Sequence, residues 1–208
     1  YMLNGKMGHK DSVGNEGLIE DGGLQWMNAG KGIIHEEMPL QIEGKMRGFQ
    51  LWVNLPANQK MSEPSYQDIP TANIPELTSD NGSLIRVLAG NYKEQEGAVT
   101  TQAVKPQFFD FHMVVNETLT LATQSTHNGF LYVYEGEIVV SGKTLKKGQL
   151  GVLDFADQLT LKTYDAARAI FLSGKPINET VVQYGPFVMN TEDEINQALR
   201  DFQQGVLA

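Results

Sequence analysis

The stretch YMLNGKM (residues 1–7) matches the stretch YVYEGEI (residues 132–138) position by position. Each begins with an aromatic residue and continues with two apolar or aromatic residues, a polar residue, a glycine, a charged residue and an apolar residue. A second glycine turn follows each copy, in EDGGL (20–24) and in KKGQL (146–150). The pattern predicts two copies of one β unit, each made of short strands joined by glycine turns.

Residue alternation extends the β interpretation along the chain. The segment FFDFHMVV (108–115) alternates apolar side chains with a mixed set, and FLYVYEGEIVVSG (130–142) predicts two strands joined at a glycine. The segment GFQLWVNLP (48–56) also alternates, and it predicts a further strand. Alternation of this kind sends one set of side chains into a barrel or sandwich interior. The fold class is therefore predicted to be all-β.

Two other segments define the predicted organisation. Residues 56–83 are rich in Pro, Ser, Asn and Asp, which predicts an irregular connection. The segment TEDEINQALRDFQQG (191–205) opens with a Thr-x-x-Glu capping box, carries apolar residues at helical spacing and ends at a glycine, which predicts a helix over about 191–204. The predicted domains are 1–55, a linker at 56–83, 84–175, and a C-terminal segment 176–208 whose helix packs on the first domain.

Composition excludes several classes of function. The chain has 208 residues, 41% of them hydrophobic and 20% charged, as in ordinary globular proteins. It has no cysteine, so disulfides and thiolate metal sites are excluded. The net charge of −9 argues against direct nucleic-acid binding, and no apolar run is long enough to span a membrane. We expect a cytoplasmic protein without direct nucleic-acid or membrane contacts.

The segment GKGIIHEEMP (30–39) contains the candidate metal ligands His35 and Glu37. Residues i and i+2 of a strand project to the same side, so both side chains could reach one ion, whereas Glu36 points away. The alternative is a hydrogen-bonded histidine and a carboxylate at the rim of a strand. Imidazole and carboxylate ligands suit iron, manganese, zinc or copper, so ligand type alone does not select the metal.

The repeat has the form of a cupin, and a narrower resemblance covers nearly the whole chain. The blocks HKDSVGNEG, LQWMNAGKGIIHEEMP, FQLWVNLP, KMSEPSYQDI and YGPFVMNTEDEINQA resemble the pirin family of two-cupin proteins. The resemblance implies two cupin-type barrels, the first of which holds a metal, usually iron, through three histidines and a glutamate. Two of these histidines belong to an H-P-H-R-G-F-E motif, and the other two ligands match His35 and Glu37.

The sequence departs from this pattern at its start. The H-P-H-R-G-F-E motif does not occur in the sequence, and the resemblance places it just before Tyr1. We therefore expect that the first cupin is incomplete at its N-terminus, and that a chain starting at Tyr1 binds iron weakly and shows little activity. His9 does not replace the missing ligands, because pirins carry a non-ligand histidine at that position.

The second cupin is predicted to be metal-free. His112 is expected to be structural. The positions near His127 where ligands would fall are Ala122, Gln124 and Asn128, none of which is a histidine or an acid.

The resemblance implies an oxidoreductase, a metal-dependent quercetin 2,3-dioxygenase that acts on a flavonol-like small molecule. The metal would be Fe(II), with Zn, Mn, Cu or Ni as alternatives, and Glu37 would also accept the proton of the substrate's hydroxyl group. The alternative function is a non-enzymatic, iron-dependent regulator that acts through contacts with a partner protein.

Overall fold

A computed structural model describes residues 1–40, 43–99 and 103–206 of the chain. The described residues form many short strands and one α-helix near the C-terminus, which confirms the all-β prediction. They divide into two compact units, Tyr1–Thr71 with Ile177–Ala208, and Ala72–Pro176. Among the described helices, none has the length and apolar character needed to cross a membrane.

The elements are numbered in chain order, and two 3₁₀ turns (Ala57–Gln59 and Thr71–Asn73) are left unnumbered. They are β1 (Met2–Asn4), β2 (Met7–Asp11), β3 (Glu16–Ile19), β4 (Leu24–Asn28), β5 (His35–Pro39), β6 (Arg47–Gly48), β7 (Ser65–Ile69), β8 (Glu76–Thr78), β9 (Leu84–Ala89), β10 (Asn91–Tyr92), β11 (Gln95–Glu96), β12 (Gln107–Met113), β13 (Thr118–Ala122), β14 (Asn128–Glu135), β15 (Glu137–Val140), β16 (Lys143–Lys146), β17 (Leu150–Leu153), β18 (Gln158–Lys162), β19 (Ala167–Gly174), β20 (Val182–Tyr184), β21 (Phe187–Met189) and α1 (Glu192–Gln204).

The first unit is built from small antiparallel sheets. Strands β3, β2 and β5 form a three-stranded sheet in that order, with β2 in the middle. Strand β4 pairs with β7, β1 pairs with β6, and β20 pairs with β21. The candidate residues His35 and Glu37 both lie on β5, at the edge of the three-stranded sheet.

The second unit encloses a large apolar core between two antiparallel sheets. One sheet has the order β17-β14-β19-β12-β9-β8 and the other has the order β13-β18-β15-β16. The predicted alternation on β12 is confirmed, because Phe109, Phe111 and Met113 all belong to the buried apolar cluster. Phe109 stacks on Phe171 at 5.7 Å between ring centroids, which ties β12 to its neighbour β19.

The glycine of the second repeat joins β14 to β15, as predicted. Gly136 has φ of 71°, a left-handed conformation that L side chains rarely adopt. A Cβ at this position would also lie 2.5 Å from the carbonyl oxygen of Ala166. Both backbone shape and close packing therefore require glycine at this turn.

The C-terminal helix has the predicted caps. Thr191 is its N-cap and accepts a hydrogen bond from the Glu194 backbone N–H, while the Glu194 carboxylate accepts from the Thr191 backbone N–H. Gly205 ends the helix in the left-handed conformation. The helix and the strands β20 and β21 belong to the same compact unit as residues 1–71.

The structure differs from the sequence-based prediction at two segments. Of the strand predicted over 48–56, only Gly48 is in a strand, and Trp52 and Val53 are exposed. The segment 56–83, interpreted as an irregular connection, contains β7 and β8. The prolines of this segment do not prevent strand pairing, because they flank the two short strands and do not interrupt them.

Candidate functional site

The candidate ligands lie on one face of β5. Antiparallel pairing with β2 places His35 opposite Asp11 and Glu37 opposite His9. Glu36 projects to the other face, where its carboxylate forms a salt bridge of 3.2 Å with Lys10. Strand alternation therefore separates Glu36 from the His35–Glu37 pair, as the sequence indicates.

One ring nitrogen of His35 is buried without a hydrogen-bond partner among the described residues. His35 is half-buried, and its Nδ1 atom is fully buried with no hydrogen-bond partner in the described part of the chain. A buried polar atom without a partner costs free energy, so it is a feature that calls for an explanation. Glu37 is also half-buried, and its Oε2 lies 3.4 Å from Nε2 of Gln50.

The cross-strand neighbours of this pair are already engaged by other groups. Asp11 accepts hydrogen bonds from the backbone N–H groups of Val13 and Asn15 and from the Asn15 side chain. These bonds hold its carboxylate at the turn after β2. Asp11 is therefore already engaged by these donors, although it faces the same way as His35.

His9 takes part in a polar network that includes residues of β4 and β7. Its Nε2 lies 3.2 Å from Oδ2 of Asp68, and Oδ1 of Asp68 accepts a hydrogen bond of 3.0 Å from Gln25. The ring of Tyr66 stacks on the His9 ring at 6.1 Å between centroids. Burial, together with the Asp11 carboxylate, raises the pKa of Tyr66 to about 12, so its hydroxyl stays protonated at neutral pH.

Asp68, Tyr66 and Gln25 were not predicted from the sequence as residues of the site. The first two lie in the segment interpreted as a connection, although Tyr66 and Asp68 alternate with Gln67 as expected for a strand. That alternation is the signal that could have identified them. It is weak because β7 has only five residues.

The donor types of His35 and Glu37 fit a divalent metal, and the orphaned His35 Nδ1 is consistent with a ligand atom. Within residues 1–40, 43–99 and 103–206, however, no three His, Asp or Glu side chains are grouped closely enough to hold one ion. The described residues thus include two candidate ligands, His35 and Glu37, for a site that the resemblance implies has four.

The histidines of the second unit lie elsewhere. Nε2 of His112 is 2.9 Å from Oδ2 of Asp110, a fully buried carboxylate that also accepts a hydrogen bond from the Tyr134 hydroxyl. His127 lies at the turn before β14. Burial and the nearby cations of Lys105 and Lys175 lower its pKa. A metal-free second cupin stays a prediction.

Known proteins resemble the chain along its length. The Pirin family model matches residues 1–53, and the model of the Pirin C-terminal cupin domain matches residues 108–208. A Pseudomonas aeruginosa protein named "Putative quercetin 2,3-dioxygenase" is 44% identical, and the alignment covers 100% of this chain and 75% of that protein. A pirin-like protein of Caulobacter vibrioides is 43% identical, with 99% of this chain and 75% of the relative covered.

A solved structure shows the same relationship in three dimensions. The crystal structure of a quercetin 2,3-dioxygenase from Acinetobacter baumannii superimposes with a TM-score of 0.94 at 36% sequence identity. The match covers 100% of this chain and 74% of that one. With this fold, these identities and this coverage, the chain belongs to the pirin family of two-cupin proteins.

Proposed function

We propose that the chain forms part of a metal-dependent oxygenase of the quercetin 2,3-dioxygenase type, with His35 and Glu37 as metal ligands. The observation that carries the proposal is the placement of both side chains on one face of β5, with the His35 Nδ1 atom buried and unpartnered. The flavonol-like substrate is proposed from the names of the relatives that are 44% and 36% identical.

In this proposal the chain's own residues have separate roles. His35 and Glu37 hold the ion, and the half-buried Glu37 carboxylate accepts the proton of a substrate hydroxyl group. The metal, which we propose to be Fe(II) with Zn, Mn, Cu or Ni as alternatives, would supply open coordination positions for the chemistry with oxygen. Gln50 orients Glu37 through its amide group.

The test is metal content and oxygen consumption with quercetin for His35→Ala and Glu37→Gln. Both are prepared in the 208-residue chain and in a chain extended upstream with H-P-H-R-G-F-E, because the resemblance places two further ligands in that motif. We expect each substitution to lower metal affinity at least about tenfold in both backgrounds, a change of about 1.4 kcal/mol. Quercetin-dependent oxygen consumption should fall with the metal content.

Glu36→Gln is the matched control. It removes a neighbouring carboxylate that lies on the opposite face of the same strand, in a salt bridge with Lys10. Metal content should therefore stay at the level of the unmodified chain. If His35→Ala retains its metal while Glu36→Gln loses it, the assignment of the ligands is wrong.

A second candidate function is an iron-dependent regulator that contacts a partner protein. The feature that favours it is an exposed apolar row across the outer face of the three-stranded sheet. Leu18 and Met38 both lie opposite Gly8, and they are 47% and 55% exposed. Leu18→Ser with Met38→Ser should then abolish partner binding and leave quercetin oxidation unchanged. A chain that binds metal but consumes no oxygen with quercetin would favour this function.

We also propose that the protein is cytoplasmic and that it does not bind nucleic acid directly. The second of these proposals rests on the net charge of −9.

A further inference from the structure

His9 lies opposite Glu37 in the sheet, but its ring points away from Glu37. In the three-stranded sheet, β2 lies between β3 and β5, so His9 has Glu37 on one side and Gly17 on the other. A Cβ placed on Gly17 would lie 2.3 Å from Nε2 of His9 and 2.8 Å from Oδ2 of Asp68. The His9 ring therefore extends over β3, away from β5, into space that only a glycine leaves open.

Two groups contact the ring in this direction, and a third holds one of them in place. Asp68 pairs with Nε2 at 3.2 Å, and Gln25 holds the other oxygen of the Asp68 carboxylate at 3.0 Å. Tyr66 stacks on the ring with an interplanar angle of 24°. The side chain of His9 is only 4% exposed, so solvent does not replace these contacts.

We propose that Asp68 and Gly17 withhold His9 from the His35–Glu37 pair, and so determine how many ligands this face of the sheet presents to a metal. The inference rests on the proposed function. Directly opposed side chains of an antiparallel pair have Cβ atoms about 4.5–5.5 Å apart, so a released His9 ring could reach an ion held by Glu37. The imidazole of His9 would bind the same metals as the imidazole of His35.

Withholding this ligand has a chemical consequence. A structural metal site is closed by protein ligands, whereas a catalytic site keeps a position open for water or substrate. An additional imidazole from β2 would occupy such a position. Asp68 and Gly17 are thus positioning residues. They leave a coordination position of the metal open by holding the His9 ring away, and they do not contact the metal.

The experiment measures Zn²⁺ affinity by competition with a chromophoric chelator, using the 208-residue chain and two variants. Asp68→Ala removes the partner of Nε2, and Gly17→Ala places a methyl group where the ring now lies. The φ angle of Gly17 is not positive, so alanine can adopt the same backbone conformation. We expect each variant to bind Zn²⁺ more tightly by about tenfold, because a released His9 ring would add an imidazole ligand to the pair.

The gain must depend on His9. Adding His9→Ala to either variant should return the affinity to that of the unmodified chain, whereas His9→Ala alone should change nothing. Long-range ¹H–¹⁵N NMR spectra should show a metal-bound His9 ring nitrogen in Asp68→Ala and in Gly17→Ala. In the unmodified chain the His9 ring should bind no metal. Lys10→Ala, on the outer face of the same strand, is the control and should bind as the unmodified chain does.

Two different failures can be told apart. If both variants are folded and bind Zn²⁺ no more tightly, or if the gain persists with His9→Ala, the withheld ligand is ruled out. If His35→Ala does not weaken binding in the unmodified chain, the proposed metal site itself is wrong, whatever the two variants do. Asp68 would then serve only to stabilise the buried histidine.

Discussion

Glu117 is a buried carboxylate of the second unit, 2% exposed, whose surroundings satisfy its charge. It accepts hydrogen bonds from the Ser79 hydroxyl, from Nδ2 of Asn81 at 3.0 Å and from the Thr118 backbone N–H at 2.8 Å. Burial by itself would raise the pKa of Glu117, but these hydrogen bonds outweigh it and hold the pKa below its usual value. The residue ties the turn after β8 to the start of β13.

At the residue scale, Glu117→Gln should lower the free energy of unfolding at pH 7 by about 2 kcal/mol. The amide turns one acceptor into a donor that faces other donors, and an unsatisfied buried group costs about 1–3 kcal/mol. Because the folded pKa is depressed, the contribution of Glu117 is complete above its unfolded pKa and is lost as pH falls through the folded pKa. The variant should therefore lose less stability than the unmodified chain on acidification.

Urea unfolding measured between pH 7 and pH 3 checks both effects. Glu94→Gln, at an exposed carboxylate in the same unit, is the control and should unfold as the unmodified chain does. Equal losses in Glu117→Gln and Glu94→Gln at pH 7 would refute a specific role for the hydrogen-bond network.

At the scale of the element, α1 depends on its N-terminal cap. Thr191→Ala removes the hydroxyl that accepts the Glu194 N–H, and N-cap replacements of this kind cost about 1 kcal/mol. We expect the melting temperature to fall and amide exchange to increase in the first turn of the helix. Gln203→Ala, exposed in the last turn, is the control and should be neutral because alanine favours helix. Unchanged exchange in Thr191→Ala would contradict the cap.

At the scale of the whole molecule, Lys60 connects distant parts of the chain within the first unit. Its buried ammonium group donates to Oδ1 of Asn54 at 2.6 Å and to the backbone oxygen of Val188, on β21, at 3.0 Å. Close by, Glu179 accepts hydrogen bonds from the Ala57 N–H and from the Asn190 side chain. Polar contacts of this kind hold the C-terminal segment against residues 54–60.

Lys60→Met should therefore loosen the C-terminal segment. It leaves two acceptors without a donor, at a net cost of about 2 kcal/mol, since removal of a desolvated charge offsets part of the loss. Hydrogen exchange should increase over 187–189 and in α1, while β12 in the second unit keeps its protection. Lys31→Met, which removes an exposed salt bridge with Glu63, is the control. Equal exchange in both variants would show that Lys60 does not hold the segment.

Several features of this protein could be predicted from its sequence because they depend on neighbouring residues. The alternation on β12, the glycine at position 136 and the capping box at Thr191 are each set by local side-chain spacing or by backbone conformation. The separation of Glu36 from His35 and Glu37 follows from the same two-residue period of a strand. These predictions required no knowledge of which strand would pair with which.

Other features were decided only by tertiary structure. The alternation over 48–56 did not become a strand, because pairing partners and not periodicity determine whether a short segment joins a sheet. The direction of the His9 ring depends on Gly17 and Asp68, and Asp68 lies 59 residues away in sequence. Strand register brings such groups together, and register depends on packing across the whole unit. The sequence by itself therefore determined which residues share the face of β5, and the tertiary structure decided that His9 points away from them.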